Sequence, residues 1–406
     1  MPAVAISSSA GVWKAPEPVL APRLALSRLT ITDFRCYTRA RIDIDARPVV
    51  LTGANGAGKT NLLEAISFLA PGRGLRRAQL AEAARRGSSE GSWAVAATIQ
   101  APSGETDMST GRLTDLDGRD RRVMQIDGAE VRSQTTLAER LWLVWLTPQM
   151  DRLFLDGPSA RRRFLDRLVY AFDPAHAGRV TAYEQAMRER SRLLAGGGSD
   201  PTWLTALESQ MAERGVAIAV ARRLLVAELA GILHKPISPS FPMVDLSVTG
   251  MVEDWLSDSP ALAVEDRIRQ ELATARRGDA DAGTTSIGPH RSDIRVRHSD
   301  KDIEAEHCST GEQKALLLSL ILAHTQRVAA HRGAAPILLL DEVVAHLDEA
   351  RRCALFDAIC ALHVQAWLTG TDISLFAPLG NRAQRFAVAA AQLSPIDASY
   401  DETRIS

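Results

Sequence analysis

The sequence predicts an α/β fold with a mixed or parallel sheet, interrupted by a mainly helical second lobe. Three observations carry that expectation. A glycine-rich loop, "GANGAGKT" at residues 53–60, sits between a strand-like stretch and a helix-like one. An unbroken apolar run, "ILLL" at 337–340, ends in two acids, as a strand buried on both faces would. Between these ends, from Pro158 to about residue 283, apolar residues recur mainly at helical spacing.

A chain of 406 residues exceeds one typical core, so two domains or one elaborated domain are expected. Hydrophobic content of 46% and charged content of 24% suit a globular protein. The formal charge of -1 gives no global pull toward nucleic acid or membrane, so an anionic partner must be met by local patches. The four cysteines, Cys36, Cys308, Cys353 and Cys360, lack paired or metal-ligand spacing, which fits a reducing cytosol. No apolar run reaches the length of a membrane span. A cytoplasmic protein without a membrane partner is the expectation.

Taken in order, residues 1–23 carry Pro2, Pro16, Pro18 and Pro22 with little charge and read as a disordered leader. "LALSRLTITDFRCY" and "ARIDIDARPVVLTG" are strand-like, with alternating or β-branched residues. The second runs into Gly53 and then the helix-like "TNLLEAISFLA". Further strands are expected at "SWAVAATIQ", "VMQIDG" and "WLVWLTP". A helical block opens at Pro158 with "PSARRRFLDRLVYAF", where Phe164, Leu165, Leu168 and Val169 share a face. "YEQAMRERSRLLA" and "WLTALESQMAERGVAIAVARRLLVAELAGIL" continue it across the loop "GGGSD". "ARRGDADAGTT" reads as a charged loop, after which strand signals return. A helix over 310–332, the run "APILLLDE", another helix and a strand at "VQAWLTGT" close the pattern. Residues 24–157 with 284–406 are thus expected to form one α/β unit, with 158–283 inserted as a helical lobe.

The loop fits G-x-x-x-x-G-K-[ST]. Glycines let such a backbone fold tightly, so that its N–H groups point inward at phosphate oxygens. Lys59 would reach the β- and γ-phosphates and the Thr60 hydroxyl would ligate Mg²⁺. The following helix N-terminus adds partial positive charge. At the carboxyl end of the buried run, Asp341 falls where open α/β sheets bind ligands and would hold Mg²⁺. Glu342, one residue on, is placed to orient or deprotonate an attacking water. Adjacent acids at a strand end would otherwise be solvated caps.

Far downstream, "STGE" opens the helix at 310. Ser309 with Glu312 has capping-box spacing, which accounts for the helix start. It does not account for Gly311, since glycine inside a helical turn is costly.

A phosphate loop, then Ser-x-Gly-Glu at a helix start, then an apolar run with Asp-Glu and a following His346, Leu347 and Asp348, resembles the order of ABC-type ATPases. "NGAGKTN" and the long gap from loop to signature resemble the chromosome-maintenance and recombination branch. "LTITDFRCY", "TPQMDRLFLDGPSARRRFLD", "YEQAMRERSRLL" and "GPHRSDI" are similar to the RecF family of recombination mediators, and the resemblance covers about residues 24–375.

That resemblance implies a P-loop ABC-type ATPase head. Gly53, Asn55, Gly56, Ala57, Gly58, Lys59, Thr60 and Asn61 would bind ATP, Thr60 and Asp341 would hold Mg²⁺, and Lys59 and Glu342 would be catalytic. Gln149 occupies roughly the Q-loop place, where the family commonly has an acid nearby, and Asp348 joins the nucleotide set. Ser309 and Gly311 would cap the γ-phosphate bound to the other subunit of a head-to-tail homodimer, making ATP a clamp. The chain departs from the pattern at Ser292, where the family more often has Asp, and at "LTGTD", which leaves Thr371 or Asp372 in place of a switch histidine. His290 reads either as catalytic or as a structural hinge residue.

The resemblance further implies ATP-dependent binding to double-stranded DNA near single-strand gaps, with RecO- and RecR-like partners and a weak DNA-stimulated ATPase. Arg73, Arg76 and Arg77, and Arg161 and Arg162 beside Arg163, offer clusters able to neutralise phosphates. A solvated helix face with partners such as Asp166 is the plainer alternative. Trp and Tyr are not interleaved among these arginines and no helix-turn-helix or finger pattern occurs, so neither base stacking nor sequence reading is supported. Two other classes compete: an ATPase subunit of a membrane transporter, and a nucleotide-gated scaffold in which hydrolysis is incidental. The long helical insertion disfavours the first, and Glu342 disfavours the second.

Overall fold

The computed structural model describes residues 23–88, 91–114, 120–196 and 200–396. The expected leader lies outside them except for Arg23.

Two six-stranded sheets face each other. The first is antiparallel, in the order Tyr37–Asp43, Ala25–Phe34, Trp93–Ala101, Gly104–Thr114, Asp120–Ile126 and Ala129–Glu130. The second runs Gln392–Pro395, Gln384–Ala389, Val49–Thr52, Ala366–Gly370, Ile337–Leu340 and Leu143–Leu146. Its last five strands are mutually parallel, and the Gln392–Pro395 hairpin partner alone is antiparallel. Period-two alternation divides this sheet between two cores. Val49, Leu51 and Leu339 point toward the antiparallel sheet and the helix Lys59–Ser67, among Phe34, Leu62, Ile66 and Trp93. Val50, Leu338 and Leu340 point the other way, onto Leu316, Leu317 and Leu320 of the helix Thr310–Arg332. A sheet covered on both faces explains why its strands are apolar without alternation.

The inserted lobe has its own core. Tyr183 of the helix His176–Ala195 and Met211 of Pro201–Leu233 pack with Val264, Ile268 and Leu272 of Ala261–Ala282. Fully buried Arg190 pins these helices together by donating to Glu208 at 2.9 Å and Asp279 at 2.7 Å.

Three sequence expectations need correction. "ARRGDADA" is the end of the helix Ala261–Ala282, not a loop; the buried stripe of Val264, Ile268 and Leu272 continues there as Asp279, a carboxylate paired with Arg190 that gives no apolar signal. The strand Val244–Thr249 falls inside the expected helical lobe and pairs antiparallel with Asp293–His298, so the cut at 283 divides one small sheet. Pro158–Val169 and the end of Pro201–Leu233 also belong with the head, since Phe164, Leu168, Leu225 and Leu229 share a core with Leu320.

Candidate functional site

In a parallel sheet the carboxyl ends of the strands share one rim. Here that rim carries the phosphate loop after Val49–Thr52, Asp341 and Glu342 after Ile337–Leu340, Thr371 and Asp372 after Ala366–Gly370, and Gln149 in the 3-10 turn Pro148–Arg152 after Leu143–Leu146. The Asp341 N–H donates to the Leu146 carbonyl at 2.9 Å, which ties the acidic pair to the Gln149 side of the rim.

Two glycines of the loop are required by close approach. A Cβ at Gly53 would lie 2.1 Å from the Val388 carbonyl oxygen. At Gly58, φ is +118° and a Cβ would meet the Tyr37 hydroxyl at 2.8 Å and the Cys36 sulfur at 2.9 Å. The Tyr37 hydroxyl donates to the Gly58 carbonyl at 3.1 Å, and burial pushes its pKa up, so it stays a donor. Lys59 is buried, with Nζ donating to the carbonyls of Gly53 at 2.6 Å and Ala54 at 3.0 Å. The loop thus holds its own cation at its centre. Asn55, Gly56 and Ala57 line a cavity of about 790 Å³ together with Thr371, Asp372 and the turn at Ala389 and Ala390. Asn61 sits beside the loop, its amide donating to Cys36 Sγ at 3.1 Å.

Thr60 and Asp341, distant in sequence, meet directly. Thr60 Oγ1 donates to Asp341 Oδ1 at 2.9 Å. Thr369 Oγ1 donates to the same oxygen at 2.8 Å and accepts from the Glu342 N–H at 2.8 Å. In the sequence Thr369 carries little signal: one hydroxyl inside the fully buried strand "AWLTG". Among the described residues Asp341 Oδ2 takes no hydrogen bond. A free carboxylate oxygen beside a threonine hydroxyl is a hard-oxygen set that fits a small divalent cation.

The signature is built differently. Ser309 is the N-cap of Thr310–Arg332, and the capping box is complete: the Ser309 N–H and hydroxyl both donate to Glu312 Oε2 at 2.8 Å, and the Glu312 N–H donates back at 3.4 Å. Lys301 pairs with the same carboxylate, and with Ser309 it pulls Glu312 down to about 2. Among the described residues a Cβ on Gly311 would meet nothing nearer than the Arg351 guanidinium at 3.7 Å, so their packing does not call for glycine there. Asp348 is the N-cap of Glu349–Ala361, accepting from the Arg351 N–H at 2.8 Å.

The "GPHRSDI" stretch joins lobe to head and is tied to both by hydrogen bonds. His290 Nε2 donates to the Thr285 carbonyl at 2.9 Å while Nδ1 accepts from the Tyr183 hydroxyl at 2.7 Å; burial lowers its pKa, and the ring is neutral and structural. Ser292 donates to buried Glu253 at 2.6 Å, where an aspartate would set a second carboxylate against the first.

The expected arginine clusters divide. Arg73 and Arg77 are exposed, while Arg76 donates to Asn61 at 2.9 Å and reaches Glu64 at 3.3 Å. Arg161 and Arg162 are half-buried and engaged within the chain. The Arg161 fork is closed on Asp293 at 2.8 and 2.6 Å, and Arg162 donates to the Ser292 carbonyl at 2.7 Å, so both fasten the helix Pro158–Val169 to that stretch. Asp166 pairs with Arg222 and His176 rather than with a neighbour on its own helix.

A mixed sheet with a phosphate loop and an acidic strand end on one rim, a separate signature helix and an inserted lobe define an ATPase head of the SMC and RecF type. The family model described as RecF/RecN/SMC N terminal domain matches residues 25–376. The chain is 50% identical to the DNA replication and repair protein RecF of Allorhizobium ampelinum, over 92% of this chain and 100% of that one. It is 49% identical to the protein of the same name from Agrobacterium fabrum, over 90% and 97%. The chain therefore belongs to the RecF/RecN/SMC family, in its RecF branch. Among solved structures, that of the recombination mediator protein RecF-ATP in the RecFOR pathway superposes with a TM-score of 0.79 at 20% identity, over 94% of this chain and 100% of that one, a likeness of fold. Among the described residues no helix is long and apolar enough to cross a membrane.

Proposed function

We propose that this chain is an ATP-dependent DNA-binding protein of recombinational repair and replication. Two copies close head to tail around ATP and clamp double-stranded DNA near single-strand gaps. RecO- and RecR-like proteins then help load a recombinase, and slow, DNA-stimulated hydrolysis releases the clamp. The observation that carries the nucleotide part is the convergence of Lys59, Thr60, Asp341 and Glu342 on one sheet rim. The repair role is supported by relatives named as DNA replication and repair proteins and matched over nearly their whole length.

In this reading Lys59 exchanges loop carbonyls for phosphate oxygens, and the loop N–H groups and helix N-terminus take the rest of the charge. Thr60 and Asp341 would hold Mg²⁺, which supplies Lewis-acid neutralisation of the phosphates when bound. Glu342 orients or deprotonates the attacking water. Gly311 supports the dimer: an unfilled place at a helix N-terminus, costly to the chain by itself, suits close approach of a phosphate held by a second copy. Arg73 and Arg77 are the remaining local candidates for DNA phosphates, with Arg76 shared between that role and Glu64.

Measuring particle mass with and without ATP, Mg²⁺ and duplex DNA tests the proposal. The mass should double with Mg²⁺ and ATP, and the doubled species should carry DNA. A monomer under every condition would refute the clamp.

A further inference from the structure

Resting on the nucleotide reading above, we propose that Thr369 is a positioning residue for hydrolysis, its single hydroxyl coupling the Asp341 carboxylate to the backbone of Glu342. The strand Ala366–Gly370 is buried throughout, and apart from Thr369 it offers only apolar side chains and glycine. Valine has nearly the same shape and would suit such a position better, because a buried hydroxyl must be hydrogen-bonded to be tolerated. The Thr369 hydroxyl meets that demand on both sides, donating to Asp341 Oδ1 and accepting from the Glu342 N–H, each at 2.8 Å.

Both contacts fall on the groups assigned to chemistry. Asp341 Oδ1 is shared between Thr60 and Thr369. If Thr60 turns its hydroxyl toward a bound cation, Thr369 is the only side-chain donor left on that oxygen among the described residues. It then decides how the carboxylate presents its free Oδ2. Glu342 sits in the left-handed region, with φ 51° and ψ 25°, a conformation unfavourable for a glutamate and held only where the surroundings fix it. The bond from its N–H to Thr369 is such a fixing contact, and it sets the direction in which the glutamate side chain leaves the backbone. Neighbours that orient ligands in this way are worth about ten- to a hundredfold in metal affinity or activity.

The test compares Thr369→Val and Thr369→Ser in the full chain. The valine variant should need about tenfold more Mg²⁺ for half-maximal ATPase, and its kcat should fall by about tenfold or more. Its affinity for ATP measured in EDTA should stay within about twofold. Independently of nucleotide, amide exchange at Glu342 should quicken in the valine variant. The serine variant, which keeps the hydroxyl, should restore all three. A valine variant with parental Mg²⁺ dependence, kcat and Glu342 exchange would overturn the proposal. Equal impairment of valine and serine variants would also overturn it, because the lost methyl packing would then be responsible. If the parent itself bound no ATP, the nucleotide reading would fail instead; altered Glu342 exchange alone would then leave Thr369 a structural residue.

Discussion

At the sheet rim, polar side chains find their partners inside the chain: Asp341 collects hydroxyls from Thr60 and Thr369, and Lys59 is held by carbonyls of its own loop. At the start of Thr310–Arg332 the serine is satisfied too, yet among the described residues Gly311 has no neighbour that requires it. At the rim, one copy alone positions these side chains. The signature is a finished helix cap with room left over, and room next to free N–H groups is what a second copy's phosphate would fill. A residue with an internal reason and one without are thus told apart by asking what a side chain would touch.

The largest expected effect lies on the rim. Lys59→Ala should weaken ATP binding by about a hundredfold or more, since a buried charged donor to phosphate is lost. Nucleotide titration checks this, and unchanged affinity would remove Lys59 from the site. Glu342→Gln keeps shape and loses basicity. Its kcat should fall by about a hundredfold with ATP affinity nearly intact, and its ATP-bound dimer should outlast the parent's. A variant turning over at the parental rate would show that another group handles the water.

Gly311→Ala separates the two regions most directly, because its two effects should have opposite signs. The monomer should gain up to about 1 kcal/mol, as alanine is the better helix residue and finds space there. ATP-dependent dimerisation should weaken by about tenfold as the new methyl crowds the phosphate. Melting curves and mass measurements read the two, and a stabilised chain that dimerises normally would leave the glycine unexplained by a second copy.

The smallest effect concerns Glu312. Its pKa is depressed from 4.5 to about 2 by Lys301 and Ser309. A depressed carboxylate stabilises the fold above its unfolded pKa, so the contribution is present at neutral pH and lost as pH falls from about 4.5 toward about 2. The pair is at the surface, and the loss should stay below about 1 kcal/mol. In Lys301→Ala the carboxyl midpoint followed by NMR should move up; no movement would mean that Lys301 does not hold it.

Much of this was legible because local chemistry dictated it. The capping box set the start of Thr310–Arg332 at the expected residue, and the "ILLL" run led straight to Asp341. What escaped depended on contacts across the fold. Gly104–Thr114 lacks a strand's usual apolar alternation because its buried positions are Thr106, Met108 and Thr110, two of them hydroxyl side chains. Thr369 reads as an ordinary β-branched strand residue until Asp341 and Glu342 are brought beside it. Arg161 and Arg162 looked like a free basic cluster because their partners, Asp293 and the Ser292 carbonyl, lie beyond the whole inserted lobe.

Mixing two defective chains tests most directly whether each ATP is closed off by two copies. Ser309→Arg should leave ATP binding through Lys59 intact and block closure, while Lys59→Ala should fail to bind ATP. In a head-to-tail pair of these two chains one site carries both defects and the other carries neither. The mixture should hydrolyse ATP, or dimerise on it, well above the sum of the separate proteins. A mixture no more active than that sum, beside a Ser309→Arg chain that dimerises normally on ATP by itself, would show that Ser309 caps its helix and does nothing more.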